Sequence, residues 1–160
     1  MALLCEYFVA DSDEAAAATI GWVGGPQKPP EAKGLFRRSR VDPIPTVNAP
    51  GIEPVVMMST LGNLIRGLAA YSEEIPDDGA IVDSRDGGER LIYRLSNSVV
   101  AALAESEEAV RLGVAEPWSQ TEEFFGLGDP SVLSPIIAQL VMMARQARTA
   151  NKSMYCWLSV

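Results

Sequence analysis

The chain has no histidine. That removes imidazole as a general base, closes off Ser-His-Asp and Cys-His pairings, and takes away the commonest metal ligand. Cysteine is almost as scarce, with Cys5 and Cys156 alone in 160 residues. Both fall in apolar β-forming stretches and are expected to be inert, reduced thiols, and a zinc site would have to recruit carboxylates. No window of about 18 apolar residues occurs, so nothing in the sequence is suited to span a bilayer. The start, "MALLCEYFVADSDE", has no cationic region and Glu6 interrupts its apolar run, which does not fit a secretory signal. The expectation is a cytoplasmic protein with no cofactor and no metal.

Basic residues are also few. The formal charge is −8, which argues against generic affinity for nucleic acid or a membrane surface. The balance reverses locally: residues 24–54 hold Lys28, Lys33, Arg37, Arg38 and Arg40 against Glu31, Asp42 and Glu53, a net +2 in a chain whose remainder carries −10. Seven of the eleven prolines lie in this stretch. A Pro-rich basic loop over about 24–54 is predicted, irregular until near Val55. Within "KGLFRRSR", Lys33, Arg37, Arg38 and Arg40 suit contacts to carboxylate or phosphate, and Phe36 offers an apolar anchor. The segment reads as a surface arm whose charges either grip an acidic partner or lie over the acidic body of the chain.

What is present is globular. Hydrophobic residues make up 48% of the chain, enough for one sizeable core without staples. Residues 3–9, "LLCEYFV", predict a buried strand, followed by an alanine-rich helix capped by Asp11 or Ser12 and stopping at Gly24–Gly25. "IEPVVMM" (52–58) reads as a second strand, and Ser59 or Thr60 as the cap of a helix carrying Leu61, Leu64, Ile65 and Leu68 to near Tyr71. A hairpin follows, "AIVDS" and "ERLIYRL" around "RDGG", with Arg90, Ile92 and Arg94 on a wet face. Ser96 or Ser98 caps a helix with Val99, Val100 and Leu103. Pro117 opens a short one, "PWSQTEEFF", placing Trp118, Glu122 and Phe125 on one face.

Asp129–Pro130 is the cleanest helix start in the chain. The helix it opens runs to about residue 150, buries Leu133, Ile136, Ile137, Leu140, Ala144 and Ala147, and ends at Asn151 in a left-handed cap. "SMYCWLSV" then closes the chain as a strand. The order β-α-loop-β-α-β-β-α-α-α-β predicts a single α+β domain over residues 1–160. Its sheet is mixed or antiparallel, includes both terminal strands, and packs against about five helices.

The one carboxylate cluster near an aromatic is "EPWSQTEEFFG". Glu122 and Glu123 beside Trp118 could hold a raised pKa or a hard cation, or simply be solvated glutamates beside a core-edge tryptophan. "GLGD" (126–129) could present amides to an anion, but it lacks a P-loop's lysine and serine and reads as a tight turn before a capped helix.

The final third, with "WSQTEEF", a long helix and then "ARQARTANKSMYCWLSV", resembles the ends of small uncharacterised bacterial proteins. That resemblance implies a bacterial cytosolic protein and carries over no catalytic residue. The residues themselves favour a non-enzymatic protein-binding module, such as an immunity-type inhibitor or a regulatory or accessory subunit, with an acidic face for its partner. Two alternatives stand beside it. One is a carboxylate-dependent enzyme using Glu122 and Glu123, with the 33–40 cations holding an anionic substrate. The other is a structural protein that forms an oligomer through its terminal strands.

Overall fold

The computed structural model describes residues 2–31 and 41–160. In chain order its elements are β1 (Leu4–Ala10), α1 (Asp13–Ala17), β2 (Val47–Asn48), α2 (Val56–Ile65), β3 (Ala80–Arg85), β4 (Arg90–Arg94), α3 (Asn97–Glu105), α4 (Glu108–Ser119), α5 (Pro130–Thr149) and β5 (Ser153–Ser159). Short 3-10 turns lie at Asp86–Gly88 and Glu122–Phe124. The strands form one antiparallel sheet in the order β2-β1-β5-β4-β3. The fold is α+β, with both terminal strands inside it.

The two apolar terminal strands are neighbours. They pair over seven residues, from Leu4 opposite Ser159 to Ala10 opposite Ser153. A continuous apolar run such as "MYCWL" suits a strand buried on both faces, and that is its position. On one face Cys5, Tyr7, Met154, Cys156 and Leu158 meet the layer of helices α2 to α5. On the other, Phe8, Ile92, Tyr155 and Trp157 are covered by Ala16 and Ile20. Both thiols are fully buried, and burial pushes the Cys156 thiol well above its ordinary range, in keeping with inert side chains.

That second core corrects one expectation. Arg90, Ile92 and Arg94 do not form a wet face, since the two arginines are half-buried. Ile92 is fully buried, and Arg90 donates to the Ile20 carbonyl at 3.1 Å while its guanidinium lies 6.0 Å from the Trp157 ring centre. Arg94 pairs with Asp13, which also accepts the Tyr155 hydroxyl at 2.8 Å. The alternation was real, but α1 and the turn after it cover the polar side. The helix itself is shorter than expected. Ser12 caps it by accepting from Ala15 N at 3.1 Å, and it stops at Ala17, ahead of the weak helix formers Thr19, Ile20, Gly21 and Trp22.

Residues 52–58 are not a strand. The second strand is the two-residue β2, lying within the proline-rich stretch, and α2 begins at Val56 rather than after Ser59. The cause is Glu53, whose carboxylate accepts from Val55 N at 2.8 Å and from Met57 N, supplying the cap that neither Ser59 nor Thr60 provides. The helix ends at Ile65, short of Leu68 and Tyr71. Pro117 likewise does not open a helix. It sits in the last turn of α4, which starts nine residues earlier at Glu108.

The long helix follows its pattern closely. Asp129 caps α5 by accepting from Ser131 N at 2.9 Å, and Pro130 takes the first helical position. Leu133, Ile137, Leu140, Ala144 and Ala147 are buried, joined by Val141 and Met143, while Ile136 is half-buried. At the other end Asn151 adopts φ 55°. Among the described residues no helix is long and apolar enough to cross a membrane.

Candidate functional site

Trp118, in the last turn of α4, organises the region. Its ring is fully buried, and its indole N–H donates to the Met57 carbonyl at 3.1 Å, with Thr60 Oγ1 at 3.3 Å. Phe124 packs edge-on against it, ring centres 5.3 Å apart and planes at 88°. One side chain thereby joins α4, the first turn of α2 and the 3-10 turn at 122–124.

Because α4 ends at Ser119, Trp118 and Glu122 do not share a helical face, as the i, i+4 spacing had suggested. Phe124, rather than Glu122, is the neighbour of the indole. The two glutamates are held from outside the turn by Tyr71. Its hydroxyl donates to Glu123 Oε2 at 3.0 Å and accepts from Glu122 N at 2.9 Å.

The chain then turns sharply. Phe125 takes a left-handed backbone, φ 52° and ψ 31°, and Gly126 another at φ 72°. Two short backbone bonds close the turn, Phe125 N to Glu122 O at 2.9 Å and Leu127 N to Phe124 O at 2.8 Å. Gly128 fixes its seat. A Cβ there would lie 2.2 Å from the Ser119 carbonyl oxygen, so only glycine lets the two backbones pass this closely. Asp129 follows as the α5 cap, and the Ser131 hydroxyl and amide hold its carboxyl below the ordinary aspartate range. "GLGD" is therefore a turn and a cap.

This turn leaves large apolar side chains in water. Phe125 is 86% exposed, Leu127 85% and Val132 58%. Leu127 and Val132 border an open groove of about 350 Å³, walled by Ile52, Met57, Leu133 and Ile136 and edged by Glu123 and Asp129. Among the described residues, those two acids are its only charged lining side chains. They belong to a wider acidic stretch: residues 105–129 carry Glu105, Glu107, Glu108, Glu116, Glu122, Glu123 and Asp129 against the single cation Arg111.

A second hollow, of about 270 Å³, lies between α2 and the loop before β3 and is lined by Asn63, Arg66, Glu73 and Asp77. Its best-placed polar groups serve the fold. Asn63 donates to the Ala70 and Ser72 carbonyls at 2.9 and 3.0 Å, and Arg66 to the Ser98 carbonyl at 3.1 Å.

Of the residues singled out from the sequence, Trp118 and Glu123 meet at the groove region, one as its buried support and one on its edge, with Glu122 exposed beside them. Lys33, Phe36, Arg37, Arg38 and Arg40 lie outside the described residues. Leu127, Val132 and Tyr71 were not foreseen. The available signal was "FFGLGDP", where large apolar residues stand inside a glycine-rich turn with no helical or strand period to bury them. Among the described residues no group of three or more acidic or cysteine side chains is placed to hold a metal ion. The terminal strands offer no free edge along β5, which lies between β1 and β4. Comparison with protein-family models, with curated proteins and with solved structures finds no match to this chain.

Proposed function

We propose that this chain is a non-enzymatic, cytoplasmic protein-binding module, of the kind that inhibits or accompanies a partner protein, and that it docks through the turn at 122–132. The observation that carries this reading is the exposure of Leu127 on the lining of an apolar groove, with Phe125 equally exposed two residues away on the same turn. Scattered apolar side chains on a surface need no explanation, but two large ones on one turn, next to a preformed cleft, are typical of a contact surface. Covering a phenylalanine or leucine is worth about 1.5–3 kcal/mol each, enough to make the pair a hot spot.

The arrangement behind the turn supports the same reading. Trp118, Tyr71, Gly128 and the Asp129 cap hold it from four directions, so the exposed side chains stand on a rigid mount. A preorganised surface loses less entropy on binding than a floppy one. Glu122 and Glu123, the pair on which an acid-base mechanism would rest, are adjacent in a 3-10 turn, and Glu123 is committed to Tyr71.

The test is cross-linking with quantitative mass spectrometry in cells that express the protein naturally, comparing the wild type with Leu127→Asp. Leu127 is exposed, so the variant should melt like the wild type. One or more proteins cross-linked to the wild type should be depleted at least tenfold in the variant. An identical cross-linked set from both would sink the reading.

A further inference from the structure

We infer that the segment the groove accepts is a basic peptide stretch carrying large apolar anchors: leucine- or phenylalanine-type side chains flanked by lysine or arginine. The inference rests on the groove reading above and adds the chemical class of the occupant.

Two observations select it. The first is charge. The groove walls are apolar, and among the described residues its only charged lining side chains, Glu123 and Asp129, have the same sign. Glu116 and Glu122 stand exposed nearby in the sequence, within the acidic 105–129 stretch. A partner entering here meets an apolar floor and a negative edge. Cations flanking its apolar residues would be attracted, whereas phosphates, carboxylates and anionic lipid surfaces would be repelled. Both acids are also positioned in advance, Glu123 by the Tyr71 hydroxyl and Asp129 by Ser131.

The second is the backbone at Phe125. A left-handed conformation disfavours a bulky side chain, and glycine or asparagine would occupy it at lower cost. The side chain is 86% exposed, so among the described residues it gains little burial in return. A large aromatic kept where the fold gains little from it is suited to a contact made with another molecule. Beside an acidic edge, an exposed ring can also stack under a guanidinium.

The experiment measures fluorescence anisotropy of the full chain with three labelled ten-residue peptides: one of alternating Lys/Arg and Leu/Phe, one with Glu/Asp in place of the cations, and one with Ser in place of the apolar residues. The basic apolar peptide should bind at least tenfold more tightly than either of the others, and more weakly as salt rises. Leu127→Asp should reduce that binding at least tenfold. The double variant E123Q/D129N keeps the Tyr71 acceptor and a good helix cap while removing both charges; it should weaken binding several-fold and flatten the salt dependence. If the acidic apolar peptide binds as well and remains sensitive to Leu127→Asp, the groove reading stands and the basic class is overturned. If the charge-removing variant leaves affinity and salt dependence unchanged, the basic class is again overturned. If no peptide shows binding that Leu127→Asp weakens, the groove reading itself fails.

Discussion

Among the described residues, two residues other than glycine close a helical segment in a left-handed conformation, Asn151 after α5 and Phe125 after the 3-10 turn at 122–124, where α2 uses Gly67. The backbone task is the same. At Asn151 the closing bonds run from Lys152 N to Ala147 O at 2.8 Å and from Asn151 N to Arg148 O at 3.1 Å, the double-bonded stop in which asparagine is a favoured substitute for glycine. Phe125 meets the same torsional demand with one of the least suitable side chains and leaves it in water. The first cap is what a stable fold would select. The second is what the proposed contact surface would select, a trade of stability for binding that the following variants test.

The comparison breaks most sharply at Gly128. If the Phe125 turn is forced by its seat against Ser119, Gly128→Ala should cost about 3 kcal/mol through overpacking of backbone on backbone, read from urea unfolding. A cost below about 1 kcal/mol would mean that the turn can lift away, and that the left-handed cap is not imposed. Next in size is the reciprocal graft. Asn151→Phe places a bulky residue in the α5 cap and should cost about 1–2 kcal/mol, with α5 otherwise intact by circular dichroism. A neutral result would remove the contrast between the two sites.

Another left-handed position, Gly25, gives a smaller and pH-dependent effect. A Cβ on Gly25 would fall 2.5 Å from Glu6 Oε2, and burial beneath this turn raises the Glu6 carboxyl above its ordinary range, partly offset by the Gln27 amide and Lys28. The folded state therefore holds that proton more tightly than the unfolded chain does. Its contribution to stability is present below the ordinary carboxylate range and is lost as pH rises through the raised value. Glu6→Gln should flatten the stability profile across that window and leave the variant the more stable at neutral pH. A wild-type profile that rises with pH there and is not changed by the substitution would contradict the assignment.

The parts of this structure that were legible from sequence are those with local causes. The terminal strands announce themselves as apolar runs, and Asp129–Pro130 and Asn151 bound α5 because a cap needs only its own neighbours. The failures have distant causes. "IEPVVMM" enters a helix because Glu53 reaches over Pro54 to cap it. Ile92 is buried because Ala16 and Ile20, more than seventy residues earlier, cover it. Pro117 ends α4 instead of opening a helix, since the periodic residues Val114, Ala115 and Trp118 belong to a helix already begun. The groove is further still from the sequence. Its walls come from 50–57 and 123–136, and Trp118 links them through its hydrogen bond to Met57 and its packing on Phe124.

The central claim is that Phe125 is retained for binding and not for folding, and Phe125→Asn tests it most directly. Asparagine should relax the cap, so urea unfolding is expected to show stability equal to the wild type or higher by about 1 kcal/mol. Affinity for the basic apolar peptide should fall at least tenfold in the same preparation. A variant that is less stable than the wild type, or that binds the peptide equally well, would contradict the account.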